Sequence, residues 1–271
     1  MLLHRRPCCL LLSMLAACAL SAPPADATLA TAATRDELED QAQAALLRAR
    51  AATGADLLPA QLEATALLFA AADRRLQVAT VAWLDANPAA TRSEVLAADD
   101  QVADDVRTGI LSLCTAGLEL AEAAHAAHQD SGPAALHTGL HLSLIAWANG
   151  PARSLFAGYG PRLVAAIDAA LALDRALDGG APLRLAGRFR GRAPWPYGDL
   201  PLARQLLGEA VGLRSVPVNH LFFGDALAAA GELPAARAQW QLAVTAPFDA
   251  TTRWSADLLR TLAQRRLAAP E

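Results

Sequence analysis

Six histidines are the residues of this chain best suited to do chemistry, and four of them fall in pairs. His137 and His141 stand at i, i+4, and His125 and His128 at i, i+3, so in a helix each pair shares one face. Two imidazoles on one face are half of a metal site. No acid completes either pair at a helix-compatible spacing, and no H-E-x-x-H occurs. The expectation is no metal, no cofactor and no catalytic residue. His137 and His141 then flank the apolar stripe Leu136/Leu140/Leu144 as partly exposed groups, and a His-based metalloenzyme is the reading they displace. Cys114 lies in an apolar helical pattern with no motif placing a base beside it, which makes it a small core residue. There is no G-x-S-x-G, no phosphate-cradling glycine loop and no C-x-x-C.

What remains is recognition. Asp99-Asp100 and Asp104-Asp105 read as the solvated face of an amphipathic helix, with a docking surface for a basic partner as the alternative. Arg184, Arg188, Arg190 and Arg192 are the mirror case: exposed helix charge, or contacts to an acidic partner. Trp195 and Tyr197 sit in the loop Ala193-Pro194-Trp195-Pro196-Tyr197, where prolines hold the aromatic rings and little entropy is lost on binding. With Arg190 and Trp147 they are the candidate ligand- or partner-binding residues. The alternative for the loop is that it folds back and caps the groove of its own repeat. A net charge of −4 and a pI near 5.9, with no concentrated basic face, argue against nucleic acid as the partner.

The elements that must position these groups are announced by a repeat. Residues 198–211 read G-D-L-P-L-A-R-Q-L-L-G-E-A-V and residues 231–244 read G-E-L-P-A-A-R-A-Q-W-Q-L-A-V, a constant register of 33 from Gly198/Gly231 to Val211/Val244. Gly ends one helix, an acid meets the positive end of the next, and Pro fits its first turn. Ala203, Leu207 and Ala210 share a face at i, i+4, i+7, as do Ala236, Trp240 and Ala243. Upstream, Ala186-Gly187 and Phe223-Gly224 occupy matching places in a preceding helix, with Arg190 at the outer bulky position of the first. A third, weaker unit ends in Pro161–Asp174. This pattern resembles the tetratricopeptide repeat, whose units bury their apolar faces only against one another. The fold class expected is all-α, a TPR-like α-solenoid of stacked helical hairpins.

Further boundaries have causes of the same kind. Capping boxes at Thr34/Glu37 and Thr91/Glu94 start helices. The first stops at Gly54, a second opens at Pro59 and runs to Asn87-Pro88, and a third stretch reaches His128 with a break near Gly109. Gly132-Pro133, Gly150-Pro151 and Gly160-Pro161 punctuate the rest. No sustained alternating strand pattern occurs. The parts are 34–130, N-terminal helices, and 131–271, the repeats, read together as one continuous helical domain 34–271.

Residues 1–17 read as a signal peptide. His4, Arg5 and Arg6 make a positive start, and Cys8–Ala17 is an apolar run too short to span a bilayer. Leu15-Ala16-Ala17-Cys18 resembles the lipobox of bacterial lipoproteins, which implies acylation of Cys18, an anchor in the cell envelope and exposure to the periplasm. An ordinary secretory signal cut near Ala25 is the alternative. Residues 18–33, small and without periodicity, read as a flexible tether. With Cys8 and Cys9 removed and Cys18 lipidated, Cys114 is left alone and no disulfide framework is expected.

Leu136–Val244 as a whole resembles the T component (TatT family) of TPR-protein-associated TRAP transporters. The resemblance rests on Ala146-Trp147-Ala148-Asn149-Gly150, on Ala170–Asp174, on Gly179-Gly180 followed by Leu183–Gly187, and on the Pro loop closing at Gly198-Asp199. Tyr197 replaces a family Gly, and Arg175 stands where Pro often follows the acid. The resemblance implies a trimeric periplasmic lipoprotein that offers a cleft or pore to a hydrophobic ligand and pairs with a periplasmic solute-binding protein. A general TPR scaffold for a pilus or secretion assembly is the other function considered.

Overall fold

The doubled segment forms two interlocked hairpins. The computed structural model describes residues 35–248 and 253–270, all-α with no strand among them. Thr34, the signal, Cys18 and the tether lie outside the described residues. The two copies become α8 (Leu200–Leu213) and α10 (Leu233–Thr245), each with Pro in its first turn. Their partners are α7 (Leu177–Arg192) and α9 (Pro217–Ala229), and α8 packs on α9 to join the hairpins. A Cβ on Gly187 would stand 2.5 Å from Leu207 Cγ and 3.2 Å from the Ala203 carbonyl oxygen. A Cβ on Gly224 would stand 2.5 Å from Trp240 Cδ1 and 3.1 Å from the Ala236 carbonyl oxygen. The sequence register is thus also a packing register: a glycine on the first helix receives the large side chain of the second. Ala203, Ala210, Ala236, Trp240 and Ala243 are wholly buried.

The copies differ at their caps. Asp199 accepts a hydrogen bond from the Leu202 N–H at 3.0 Å, as an N-cap should, whereas Glu232 makes no cap bond and pairs with Arg204 at 2.6 Å. Both members of that ion pair are more than a third exposed, so it adds little beside the apolar contact. Gly231 takes the left-handed conformation after α9 (φ +80). Gly198 is needed for a different reason: a Cβ there would collide with the Ala193 carbonyl oxygen.

Ahead of the repeats run α1 (Arg35–Ala51), α2 (Leu57–Ala86), α3 (Arg92–Leu96), α4 (Asp104–Ala127), α5 (Gly132–Phe156) and α6 (Tyr159–Leu173). The Thr91/Glu94 capping box forms. Two boundaries are displaced from expectation. The break before α4 lies at Val102-Ala103, after a 3₁₀ turn at Ala98–Gln101, and not near Gly109. Gly109 is inside α4, where the Arg75 guanidinium crosses its Cα on the way to Glu39 (2.7 and 3.0 Å). Likewise Gly158 (φ +69) is the left-handed residue before α6, while Gly160-Pro161 falls inside its first turn. The third marker holds, since Gly150 (φ +77) interrupts α5.

The last helix, α11 (Ala256–Ala268), decides the architecture. It packs on α10 and also returns to α2 and α3. Arg265 pairs with Asp85, Arg92 Nη2 donates to the Ala269 carbonyl at 2.7 Å, and Arg74 donates to the Trp254 carbonyl. Leu84, Ala90, Val95 and Ala98 accordingly share a core with Trp240, Leu259 and Leu262. The end of α2 therefore joins the core of α9, α10 and α11 through its packing on α11, which ties the last helix back to the N-terminal ones.

Adding a methyl group separates tight glycines from free ones. Gly187→Ala and Gly224→Ala should each destabilise by about 1–3 kcal/mol through overpacking. Gly212→Ala, with open space around its Cβ inside α8, should stabilise by about 0.5–1 kcal/mol. Urea midpoints of the three variants read the difference.

Candidate functional site

The arginines of α7 and the acids before α4 meet. Arg188 and Arg192 leave the same face of α7, and the turn Ala98–Gln101 presents Asp99 and Asp100 to them. Arg192 Nη1 donates to both oxygens of Asp99 (2.9 and 2.8 Å) and Nη2 to Asp100 (3.0 Å). Arg188 Nη2 donates to Asp99 at 3.2 Å, and its Nη1 lies 3.6 Å from Asp225 on α9. Asp225 also accepts from Arg266 of α11 (2.5 and 3.0 Å) and from the Trp240 indole N–H (3.0 Å). Burial alone would raise the Asp99 carboxyl; the Arg188 and Arg192 cations outweigh it and hold Asp99 below the usual carboxylate range. The solvated face expected at Asp99 and the exposed charge expected at Arg188 are both corrected. The Asp99 side chain is 12% exposed, and the acidic partner of these arginines is the chain's own turn. Asp104 and Asp105 stay exposed at the start of α4, as a solvated face requires.

Beside this network lies a cavity of about 190 Å³. Gly187, Gly191, Leu207, Phe222 and Ala226 line it together with the charged side chains Arg188, Arg192 and Asp225. Leu207 fills the space at Gly187, whereas a Cβ on Gly191 would meet only Ala203 at 3.5 Å, and the Arg188 guanidinium lies 4.3 Å over the Phe222 ring. Because Asp99, Asp100 and Asp225 already engage those cations, an incoming anion would have to displace a bonded carboxylate. An uncharged, apolar group enters without that cost.

Of the four residues singled out from the sequence, the structure joins Arg190 and Tyr197 and leaves Trp195 and Trp147 apart from that contact. Tyr197 packs on Phe189 (ring centroids 5.8 Å apart) and against Gly160, where a Cβ would stand 2.5 Å from its ring. Arg190 donates to the Tyr197 carbonyl at 3.0 Å, while its own carbonyl accepts from the Asp199 N–H at 2.8 Å. These two residues seat the proline loop. Trp195 points away from it and is 91% exposed. Trp147 is at the far end of α5 under Arg107, whose guanidinium lies 4.5 Å from the ring centroid. Arg184, also taken as surface charge, reaches the Asp178 and Gly179 carbonyls and Asn219 Oδ1.

Two residues of this region escaped the sequence reading. Asp225 had a signal, being the one acid in the otherwise apolar helix α9. Asn219 had none. Wholly buried, its amide N–H₂ lies within 3.1 Å of the Gly179, Ala210 and Arg214 carbonyls and ties three helix ends together.

Of the paired histidines flanking the apolar stripe, His137 is half-buried, as expected, and His141 differs from expectation. His141 is fully buried, not partly exposed; it lies against Gly117, and its Nε2–H donates to the Thr65 carbonyl at 3.1 Å. Burial lowers His137 to about 4 and, with His137 beside it, His141 to about 3. Among the described residues no three His, Cys, Asp or Glu side chains gather as a metal site would require. Cys114 is buried, and burial pushes its thiol well up, with Asp73 adding to the effect, so the nucleophilic thiolate is suppressed. Burial likewise raises Asp73 to about 6 against the opposing pull of Arg188.

Two measurements follow from this electrostatics. Asp225→Ala leaves Arg266 buried without its partner and should cost about 3–5 kcal/mol in denaturant unfolding. Acid should weaken the fold as well. The lowered histidines refuse protons that the unfolded chain accepts near pH 6.5, so their contribution is full above 6.5 and lost as pH falls toward 4 and then 3. At pH 5 each withdraws about 2 kcal/mol, and Asp73, shifted the other way, returns roughly 1 kcal/mol. Unfolding free energies at pH 7 and pH 5 should differ by about 2–3 kcal/mol, and His141→Gln should flatten the slope. In comparison with known proteins, no family model matches the chain and no curated protein matches it by sequence.

Proposed function

We propose that the chain is a periplasm-facing lipoprotein whose tetratricopeptide-like hairpins act as a binding module, in the role of the T component of a TRAP transporter. The observation that carries this reading is the largely apolar cavity bordered by α7, α8 and α9, to which the first copy contributes Leu207. A site framed by repeat helices, with its flanking cations already neutralised, suits a hydrophobic ligand better than a reactive anion. The lipobox at Cys18 and the resemblance of Leu136–Val244 support the envelope location and a periplasmic solute-binding protein as partner. No third His, Cys, Asp or Glu gathers at the histidine pair among the described residues, which gives no support to a metalloenzyme.

The test has four parts, made on protein isolated from membranes. Mass spectrometry should find Cys18 acylated. Light scattering should find a defined oligomer, a trimer by resemblance. Affinity capture should retain a periplasmic solute-binding subunit, and Ala226→Trp, which fills the cavity, should weaken uptake of a fluorescent fatty acid at least about tenfold. A monomer that captures no such subunit, encoded beside pilus or secretion genes, would instead mark an assembly scaffold.

A further inference from the structure

Two aromatic side chains stand out from the rest of the surface. Phe156 and Trp195 are 90% and 91% exposed, whereas no other large apolar side chain among the described residues exceeds 66%. Far apart in sequence, they belong to neighbouring turns. Phe156 ends α5 four residues before Gly160, and Gly160 carries the ring of Tyr197, two residues after Trp195. The loop that presents Trp195 is seated by Tyr197 on Phe189 and by Arg190 on the Tyr197 carbonyl. An aromatic ring held out by a braced loop exposes apolar area at a standing cost, so its exposure calls for an occupant.

The start of the folded chain lies at that same end. Glu39, one turn into α1, bonds Arg75, and Arg75 crosses Gly109 near the beginning of α4. Arg107, half a turn earlier, lies over Trp147 of the outgoing end of α5, which leads on to Phe156. Sixteen residues separate Cys18 from Arg35, at most about 55 Å of extended chain. A lipid on Cys18 would keep this end within about 55 Å of the bilayer.

From these placements we infer that Phe156 and Trp195 form a paired wedge that enters the headgroup layer of the membrane and orients the domain on it. Rings of this kind settle at the water–hydrocarbon boundary, Trp above all. No acidic side chain on the tip-bearing segments opposes entry into the headgroup layer. The segments bearing the tips, 131–167 and 179–198, contain no Asp or Glu, while the nearby Asp99 and Asp100 are bonded to Arg192 and Asp199 caps α8. The inference rests partly on the lipid-anchored reading above.

The experiment uses acylated protein in vesicles of phosphatidylethanolamine with a minority of phosphatidylglycerol, with and without bromine in the upper acyl chains. Brominated lipid should quench part of the wild-type tryptophan emission. Trp195→Phe should lose that quenchable part, and Trp195→Phe combined with Phe156→Trp should regain it, with helical circular dichroism unchanged in both. Wild-type emission no more quenched than that of Trp195→Phe, on protein that floats with the vesicles, overturns the wedge while leaving the anchor intact. Loss of partner capture by Trp195→Phe without quenching overturns it too, in favour of a protein contact. If Cys18 proves unacylated, the lipoprotein reading falls, and quenching of unlipidated protein added to the same vesicles still decides the wedge.

Discussion

Four helices converge on the carboxylate of Asp225. It comes from α9, takes the indole N–H of Trp240 from α10 and both donors of Arg266 from α11, and faces Arg188 from α7. Each of these groups is costly to bury alone, and Asp225 makes their burial tolerable by satisfying them together. Through Arg188 the network continues to Asp99 and so to the turn that follows α3. A chain of charge thus binds the repeats to the N-terminal helices. Such a network contributes less to net stability than to uniqueness of arrangement, since buried ion pairs roughly balance their own desolvation.

The apolar packing and this polar network divide the work. Within a hairpin, close approach at Gly187 and Gly224 sets helix against helix, and the contact is local in sequence. Between distant parts of the chain, the connections are polar and specific: Arg266 to Asp225, Arg192 to Asp99, Arg92 to the Ala269 carbonyl and Asn219 to three helix ends. The return of α11 to α2 depends on both kinds, because the shared core of Leu84, Trp240 and Leu259 forms only when the end of α2 is in place. Beside Phe222, α7 borders the cavity with Gly187, whose space Leu207 takes, and with Gly191, where a larger residue would narrow it.

The histidine pair teaches a related point. Spacing alone put His137 and His141 on one helix face, which holds. Whether that face meets solvent or protein depends on what lies opposite, and Gly117 of α4 makes a niche that takes the His141 ring completely. His141 thereby becomes a core group bonded to the Thr65 carbonyl, while His137 stays half-buried beside it. The thiol of Cys114 is likewise a core group.

What the sequence by itself determined is what repeats or lies within a turn or two: helix throughout, the Thr91/Glu94 cap, the left-handed glycines at 150 and 231, and the faces of α8 and α10 that carry Ala203, Leu207, Ala236 and Trp240. These follow from period and local sterics, which one segment expresses without knowing its neighbours. Only the tertiary structure decided that Asp99 answers Arg192, that Arg190 and Tyr197 brace a loop while Trp195 leaves it, that Gly109 makes way for Arg75, and that α11 closes on α2. Each of those joins residues separated by several residues to well over a hundred. A side chain's period carries no information about which distant group shares its space, so the partner of a charge is set only when the helices have packed.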